Sequence, residues 1–482
     1  MSLTRLAYSG ARWTAISSGM VTAIQFLQTL VLAKILSPED FGLMAIVLLT
    51  LTFVQIYADM GISSALVHRQ DATREQLSSL FWLNFLTGFL VFLVAVALSP
   101  VVAWVFGDPR LGSLTLCAAL ILLIWPIGGQ FGLLLQKELA FRTLALCEIA
   151  SMSLAAIVTI ATAIDGYGPY SLVLGKLTGA GLTAAVYSVI GWRRWRPALY
   201  FSLRDIRGYL SFGFYQLGQA TLVFAANQID QLYVGAVLGT QALGYYTFAW
   251  NLVLQPMMKL NFVLTRVAFP MFARIQLDNK RLQRGYLMLL WLLASINAPI
   301  LIGCAATASL LVPTIFGSQW MPAVGIVQTL ALVSLLISMT QPADAVMLAT
   351  GRTDLAFKWR LSLFFPELAG ICIGGFVAGV QGVALAKLFL NLVYWIAQYF
   401  FVLRTLIGSC LKEYVNTVGW PVAMAGVMGL VVLWRWPAAM MTDVSALVLA
   451  GEIAFGAVVY CALWLLLQRS RIYQLREQLL VR

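Results

Sequence analysis

Ten ionisable side chains stand inside long apolar stretches of this sequence: Lys34, Lys176, Lys259 and Lys387, with Asp59, Glu148, Asp230, Asp344, Glu367 and Glu452. Each costs at least about 2.5–3.5 kcal/mol at mid-bilayer on insertion scales. Three kinds of chemistry could justify that cost. A cation could neutralise a phosphate or an acidic sugar during passage. A carboxylate could bind a proton or Na⁺. Opposite charges could join helices as ion pairs. Lys34 lies near one end of its stretch and could snorkel to water, and Glu148 and Asp344 also lie near ends. Asp230, Lys259, Glu367 and Asp59 sit deeper and are the expected cavity charges.

Polar side chains extend the pattern. Gln216, Gln219, Val223, Asn227 and Asp230 step by three or four residues and share one helical face; Ser18, Thr22, Gln25 and Thr29 do the same. Such stripes avoid lipid, either by joining helices or by lining a water-filled cavity, and both readings stand at this point. On the cavity reading, Lys34, Lys259, Gln25, Gln28, Gln216, Gln219 and Asn227 face substrate. Asp230, Asp59 and Glu367 then supply cavity charge or bind a coupling Na⁺ or H⁺. Nothing reads as catalysis. The one histidine, His68, stands beside Arg69 in a loop, and there is no phosphate-binding loop, so ATP is not the expected direct energy source. The six cysteines are scattered with no CxxC pair, so neither disulfide nor metal site is expected, and no cofactor.

The elements that position these groups follow from composition. Hydrophobic residues make up 61% of the 482 and charged residues 10%. A chain this apolar cannot cover itself with polar surface in water. Its apolar runs are long and continuous, which predicts spanning helices rather than the short alternating strands of a barrel. The first run is longer than a signal-peptide core and reads as a span. About 14 spans fit, with both termini on one side.

Charge gives the orientation. Of the basic residues outside the spans, 25 fall on one side, and only Arg110 and Arg435 on the other. The positive-inside rule makes the rich side cytoplasmic. The net charge of +12 therefore sits in loops between spans and does not indicate nucleic acid. The two longest inner loops, near 192–208 and 267–285, are basic. They mark orientation, or they contact anionic lipid headgroups. The outer loops are short and leave no room for a domain there.

The chain also repeats. Sliding it by 202 residues brings Gly42 onto Gly244, Leu30 onto Leu232 and Leu36 onto Leu238. Polar positions coincide too: Gln25 with Asn227, and Gln28 with Asp230. Both copies start on the same side, so the repeats are parallel, and transporters built this way bind substrate between their halves. The expected organisation is an N-terminal lobe over 1–200 and a second lobe over 201–407. An extra helix pair over 408–468 and a cytoplasmic tail over 469–482 complete it.

Three segments, "ILSPEDFG" (35–42), "VLGTQALGYY" (237–246) and "FPMFARIQLD" (269–278), together with the 14 spans, resemble the Wzx-type polysaccharide flippases. These form a branch of the multidrug/oligosaccharidyl-lipid/polysaccharide superfamily, and within it the colanic-acid-exporter-like group is the most similar. The resemblance implies an all-α polytopic fold of two pseudo-symmetric six-helix lobes plus two C-terminal helices. It implies passage of undecaprenyl-pyrophosphate-linked oligosaccharide units across a bacterial inner membrane, by ion-coupled alternating access through a cationic cavity. It implies membrane lipids, a polysaccharide polymerase and glycosyltransferases as partners. It places Lys34, Asp230 and Lys259 on cavity-lining helices, with Lys34 near the exit. A multidrug antiporter of the superfamily usually has about 12 spans. A lipid II flippase differs mainly in substrate. A membrane polymerase or ligase carries a large periplasmic loop, which this chain lacks.

Overall fold

The computed structural model describes residues 3–59, 73–435 and 446–467, and all regular structure among them is helical. The helices are α1 (Leu3–Ile35), α2 (Pro38–Asp59), α3 (Arg74–Val105), α4 (Arg110–Lys137), α5 (Phe141–Ile164), α6 (Tyr170–Trp192) and α7 (Leu203–Tyr233). They continue with α8 (Thr240–Ile275), α9 (Asn279–Phe316), α10 (Val324–Ala349), α11 (Thr353–Gln398), α12 (Leu411–Arg435) and α13 (Ala446–Leu467).

Helix α11 has 46 residues. At about 1.5 Å per residue it would run roughly 70 Å, more than twice a hydrocarbon core of about 30 Å. It does not run straight. Ala378 and Gly379 leave helical geometry, with Gly379 at φ +56°. The arms on either side then fold back on one another, and Tyr394 Oη donates to the Leu363 carbonyl at 3.0 Å. A methyl group on Gly382 would lie 1.9 Å from the Gly374 carbonyl oxygen, so the arms touch through bare backbone. With α11 counted as two crossings, 14 helices among the described residues are long enough to span a membrane, as the sequence predicts. Eleven stretches also pass on hydropathy, the hairpin counted once within them.

The chain divides into two compact units, Met1–Gly244 and Tyr245–Arg482. In the first, α3 packs along α4, α5 along α6, α4 on α6, and α1 on α5, while α2 lies against α3, α4 and α7. In the second, α9 packs on α10 and α12, α10 on the α11 hairpin, and α13 on α9 and α12. The pairing of α9 with α10 repeats that of α3 with α4, six helices earlier. Trp320 is fully buried and stacks on Phe248 with ring centroids 4.1 Å apart. The last helix is fixed to α9 by Tyr460 Oη donating to the Ser295 carbonyl at 3.0 Å and by Trp464 stacking on Trp291.

The Pro38–Gly42 and Thr240–Gly244 parts of the repeated turn both lie in the first unit, and they touch each other. A Cβ on Gly42 would fall 1.8 Å from the Thr240 carbonyl oxygen; a Cβ on Gly244 would fall 1.8 Å from the Pro38 carbonyl oxygen. Thr240 is the repeat partner of Pro38, as Gly244 is of Gly42. The contact therefore maps onto itself when the repeats are exchanged, which is the signature of a local twofold axis. Glycine is required because helix starts α2 and α8 meet backbone to backbone.

Candidate functional site

The stripe on α1 resolves into two roles. Its hydroxyls turn inward on their own helix: Thr22 Oγ1 donates to the Ser18 carbonyl at 2.7 Å and Thr29 Oγ1 to the Gln25 carbonyl at 2.8 Å. Back-bonding of this kind satisfies a hydroxyl within its own helix. Two other polar residues face α5. Buried Ser17 donates to Glu148 Oε2 at 2.8 Å, and Gln25 Nε2 lies 4.0 Å from Met152 Sδ. Ser17 and Gln25 are eight residues apart and form a polar seam between α1 and α5. Gln28 is half-buried, and Lys34 is exposed in the last turn of α1.

On α7, Asp230 is fully buried and Asn227 exposed. Asp230 Oδ1 accepts from the backbone N–H of Gln231 at 2.9 Å. Four residues on, the helix opens into a π-helical turn, Val234–Leu238, a distortion frequent at functional sites. The side chains of Gln216, Gln219 and Asp59 lie outside the described residues, as do His68 and the tail over 469–482. In the second unit, Lys259 is exposed on α8. Beside it in sequence, Asn261 Oδ1 accepts from Asn297 Nδ2 at 2.8 Å, with both residues buried.

Glu367 has a partner that sequence reading does not foresee. Lys387, 5% exposed, places its Nζ 3.5 Å from Glu367 Oε1 and 4.9 Å from the ring centre of Trp250. The pair spans the two arms of α11, held together by the glycine contacts of the hairpin. A local signal for the lysine did exist. Gly379 (φ +56°) precedes Lys387-Leu388 as Gly168 (φ +55°) precedes Lys176-Leu177, at an offset of 211 residues. The two turns are the same turn in two repeats.

Charge at the helix ends follows the asymmetry in the sequence. The two arginines of the basic-poor side are each neutralised. Arg110 pairs with Glu39 and with Asp108, the latter at 2.7 Å, and its guanidinium holds the Asp108 carboxyl below the usual carboxylate range. Arg435 pairs with buried Glu452 at 3.1 Å and lies over the Phe455 ring. At the opposite end, Arg74, Arg193, Arg194 and Arg196 line a recess of about 430 Å³ with Trp192 and Trp195. Arg194 pairs with Glu138; among the described residues Arg74, Arg193 and Arg196 have no acidic partner. The loop carrying them is tied to α3. Ser78 Oγ accepts from Ala198 N, Ser79 Oγ from Ser202 N, and Trp82 Nε1 donates to the Ala198 carbonyl.

Parallel repeats of six helices, a C-terminal pair and ionisable groups within the apolar helices define the fold of a polytopic membrane transporter. A solved lipid II flippase, MurJ in an inward closed conformation, superposes with a TM-score of 0.77 at 15% identity, over 95% of this chain and 99% of that one. The chain belongs to the polysaccharide biosynthesis protein family, whose model matches residues 31–325. It is 34% identical over 416 residues to the teichuronic acid biosynthesis protein TuaB of Bacillus subtilis (strain 168), covering 86% of this chain and 84% of that protein. It is 30% identical over 421 residues to the lipopolysaccharide biosynthesis protein WzxC of Escherichia coli (strain K12), covering 87% and 86%. The Wzx-type resemblance drawn from the turn motifs thus holds across most of the chain.

Proposed function

We propose that the protein is a flippase. It carries undecaprenyl-pyrophosphate-linked oligosaccharide repeat units from the cytoplasmic to the periplasmic leaflet of a bacterial inner membrane, for export of a surface polysaccharide. The observation that carries this reading is membership of the polysaccharide biosynthesis family combined with ionisable groups inside a parallel-repeat transporter fold. Transport proceeds by alternating access of lobes 1–200 and 201–407, and the pair over 408–468 is an addition to the repeat. Both termini are cytoplasmic, and the arginine-rich recess at Arg193 and Arg196 meets anionic headgroups there. The protein acts on conformations rather than covalent bonds, alongside the glycosyltransferases that build the unit and the polymerase that joins it.

Lys34 and Lys259 face the anionic head of the substrate, with Gln25, Gln28, Gln216, Gln219 and Asn227 along its path. Asp230 and Asp59 supply charge, and Asp230 binds the coupling Na⁺ or H⁺, while Glu367 is engaged by Lys387 within the α11 hairpin. Burial of Asp230 beside a π-helical turn supports that role, because a buried carboxylate gains most from a bound cation. Asp230→Asn and Lys259→Ala are expected to lower export while leaving membrane expression intact; normal export by both would remove the assignment.

The reading is tested in a strain lacking the gene. Mass spectrometry of its lipids, with leaflet accessibility probed on spheroplasts, is expected to show complete lipid-linked repeat units held on the cytoplasmic side. Accumulation of lipid II instead would redirect the substrate. Unchanged pools with raised sensitivity to cationic drugs would replace the flippase with an antiporter.

A further inference from the structure

The loop after α6 is built more firmly than a loop that only marks orientation requires. The backbone N–H groups of Arg194 and Trp195 both return to the Gly191 carbonyl at 2.9 Å, closing the end of α6. Beneath them lies an aromatic cluster. The Trp195 ring centroid is 6.3 Å from that of Phe81 on α3 and 5.9 Å from that of Phe131 on α4, and Trp192 lies 6.3 Å from Phe131. A Cβ on Gly191 would fall 2.2 Å from the Phe131 ring, so α6 is pressed onto α4 there. Ser78 and Ser79, both buried, hold the far end of the loop by accepting from Ala198 N and Ser202 N at 3.1 Å. Ordering a loop costs roughly 1–2 kcal/mol of backbone entropy per residue. Topology alone does not call for it, because the positive-inside rule counts basic residues and ignores their geometry.

What the loop positions is a set of guanidiniums. Arg193 and Arg196 come from the loop and Arg74 from the first turn of α3, and they meet Arg194 at the recess. Arg194 is taken by Glu138. The other three are exposed and have no acidic partner among the described residues. Glu75 also lines the recess, but it stands in the first turn of α3, where a carboxylate answers the free N–H groups of a helix start. The flanking sequence does not reverse the sign. Residues 60–72 and 203–208 carry Arg69, Arg204 and Arg207 against Asp71 and Asp205. Like charges gathered and left unpaired repel one another, so an anion completes the arrangement.

Depth and charge select that anion. Trp192, half-exposed, and Trp195 are of the residue type that marks headgroup level at a membrane interface. An ordinary anionic phospholipid offers a single phosphodiester charge there, and a lone arginine suffices for it. A lipid-linked sugar diphosphate brings two charges and twice as many free oxygens, on adjacent phosphorus atoms. Three guanidiniums from two elements, each a planar fork that matches phosphate oxygens, suit the second. We propose that this recess captures the diphosphate of a polyprenyl-diphosphate-linked sugar, held by Arg74, Arg193 and Arg196 before it enters the transport path. The identity of the lipid rests on the flippase reading; the preference for a diphosphate rests on the recess.

The test uses the full chain in a neutral detergent, with native mass spectrometry reading the bound ligand. Four probes are compared: undecaprenyl-diphosphate-linked N-acetylglucosamine, undecaprenyl monophosphate, phosphatidylglycerol and soluble UDP-N-acetylglucosamine. The main variant is Arg74→Gln/Arg193→Gln/Arg196→Gln. A second, Arg193→Gln/Arg196→Gln, leaves α3 untouched should the first fail to fold. The control Lys280→Gln/Arg284→Gln/Lys412→Gln removes equal charge from exposed positions elsewhere. The linked diphosphate is expected to bind at least about tenfold tighter than the other three probes, and to weaken at least about tenfold in the triple variant. The double variant weakens it by a smaller factor, and the control leaves it unchanged. Equal binding of phosphatidylglycerol or the monophosphate makes the recess a general anionic-lipid site and overturns the diphosphate. Equal binding of the UDP-sugar places the ligand in solution and overturns the lipid. Equal loss in the control reduces the effect to net charge and overturns the site. None of these outcomes bears on the deletion strain, where accumulated lipid-linked units would uphold the flippase reading independently. Unchanged pools in that strain would overturn the reading while a diphosphate preference in vitro still stood.

Discussion

Lys176 and Lys387 occupy the same place in two repeats, each eight residues after a left-handed glycine, yet their surroundings differ. Lys387 is buried against Glu367 and Trp250. Lys176 is exposed on α6, and no carboxylate lies in ion-pair range among the described residues. The position 211 residues before Glu367 is Ala156, so the acid exists in one copy alone. The repeat fixed where a lysine stands; divergence of the neighbouring helix decided what it does. In the second unit the charge closes a helical hairpin. In the first unit the lysine closes no such pair among the described residues.

The comparison breaks most readily at Lys387. Lys387→Ala strands the Glu367 carboxylate, and loss of one partner from a buried pair costs about 3–5 kcal/mol. Thermal unfolding of the purified protein measures it, and adding Glu367→Gln is expected to recover most of the loss. An unchanged melt for Lys387→Ala would show that the pair holds nothing together.

A smaller effect, about 1–3 kcal/mol, is expected for Gly42→Ala or Gly244→Ala, because each new methyl meets a backbone carbonyl. The two costs should agree, since the contact is its own mirror under the repeat. A large inequality would deny the local twofold axis.

The smallest stability change belongs to Lys176→Ala, within about 0.5 kcal/mol, as for an unpaired exposed side chain. Its expected consequence is reduced polysaccharide export at normal protein levels, read by surface polysaccharide quantification against immunoblots of the membrane fraction. Full export would place Lys176 among residues that merely snorkel.

Much of the fold was open to the sequence because a bilayer imposes so few solutions. Apolar runs of span length must be helices, since every backbone group has to be satisfied within its own segment. The charge asymmetry and the 202-residue repeat then ordered them. Even the break in α11 is legible, because its two arms together are too long for one crossing. The candidate site was legible only in part. Glu148 and Gln25 showed as polar residues in apolar helices, but not that Ser17 and Gln25 on α1 meet Glu148 and Met152 on α5.

What the sequence could not determine is which polar groups meet. Spacing along one helix fixes the face a side chain occupies; the residue opposite comes from another helix, at a depth and rotation set by packing. Glu367 therefore read as a cavity charge, while the hairpin places it against Lys387. Close approach of α4 and α6 is equally hidden from the sequence: a Cβ on Gly128 would fall 2.5 Å from Ala184 Cα. The sequence by itself settled membrane helices, their number and their parallel repetition, because these follow from transfer free energy and chain direction. The tertiary structure alone decided which charges are neutralised and which polar groups meet, because both depend on distances of a few ångströms between helices far apart in the chain.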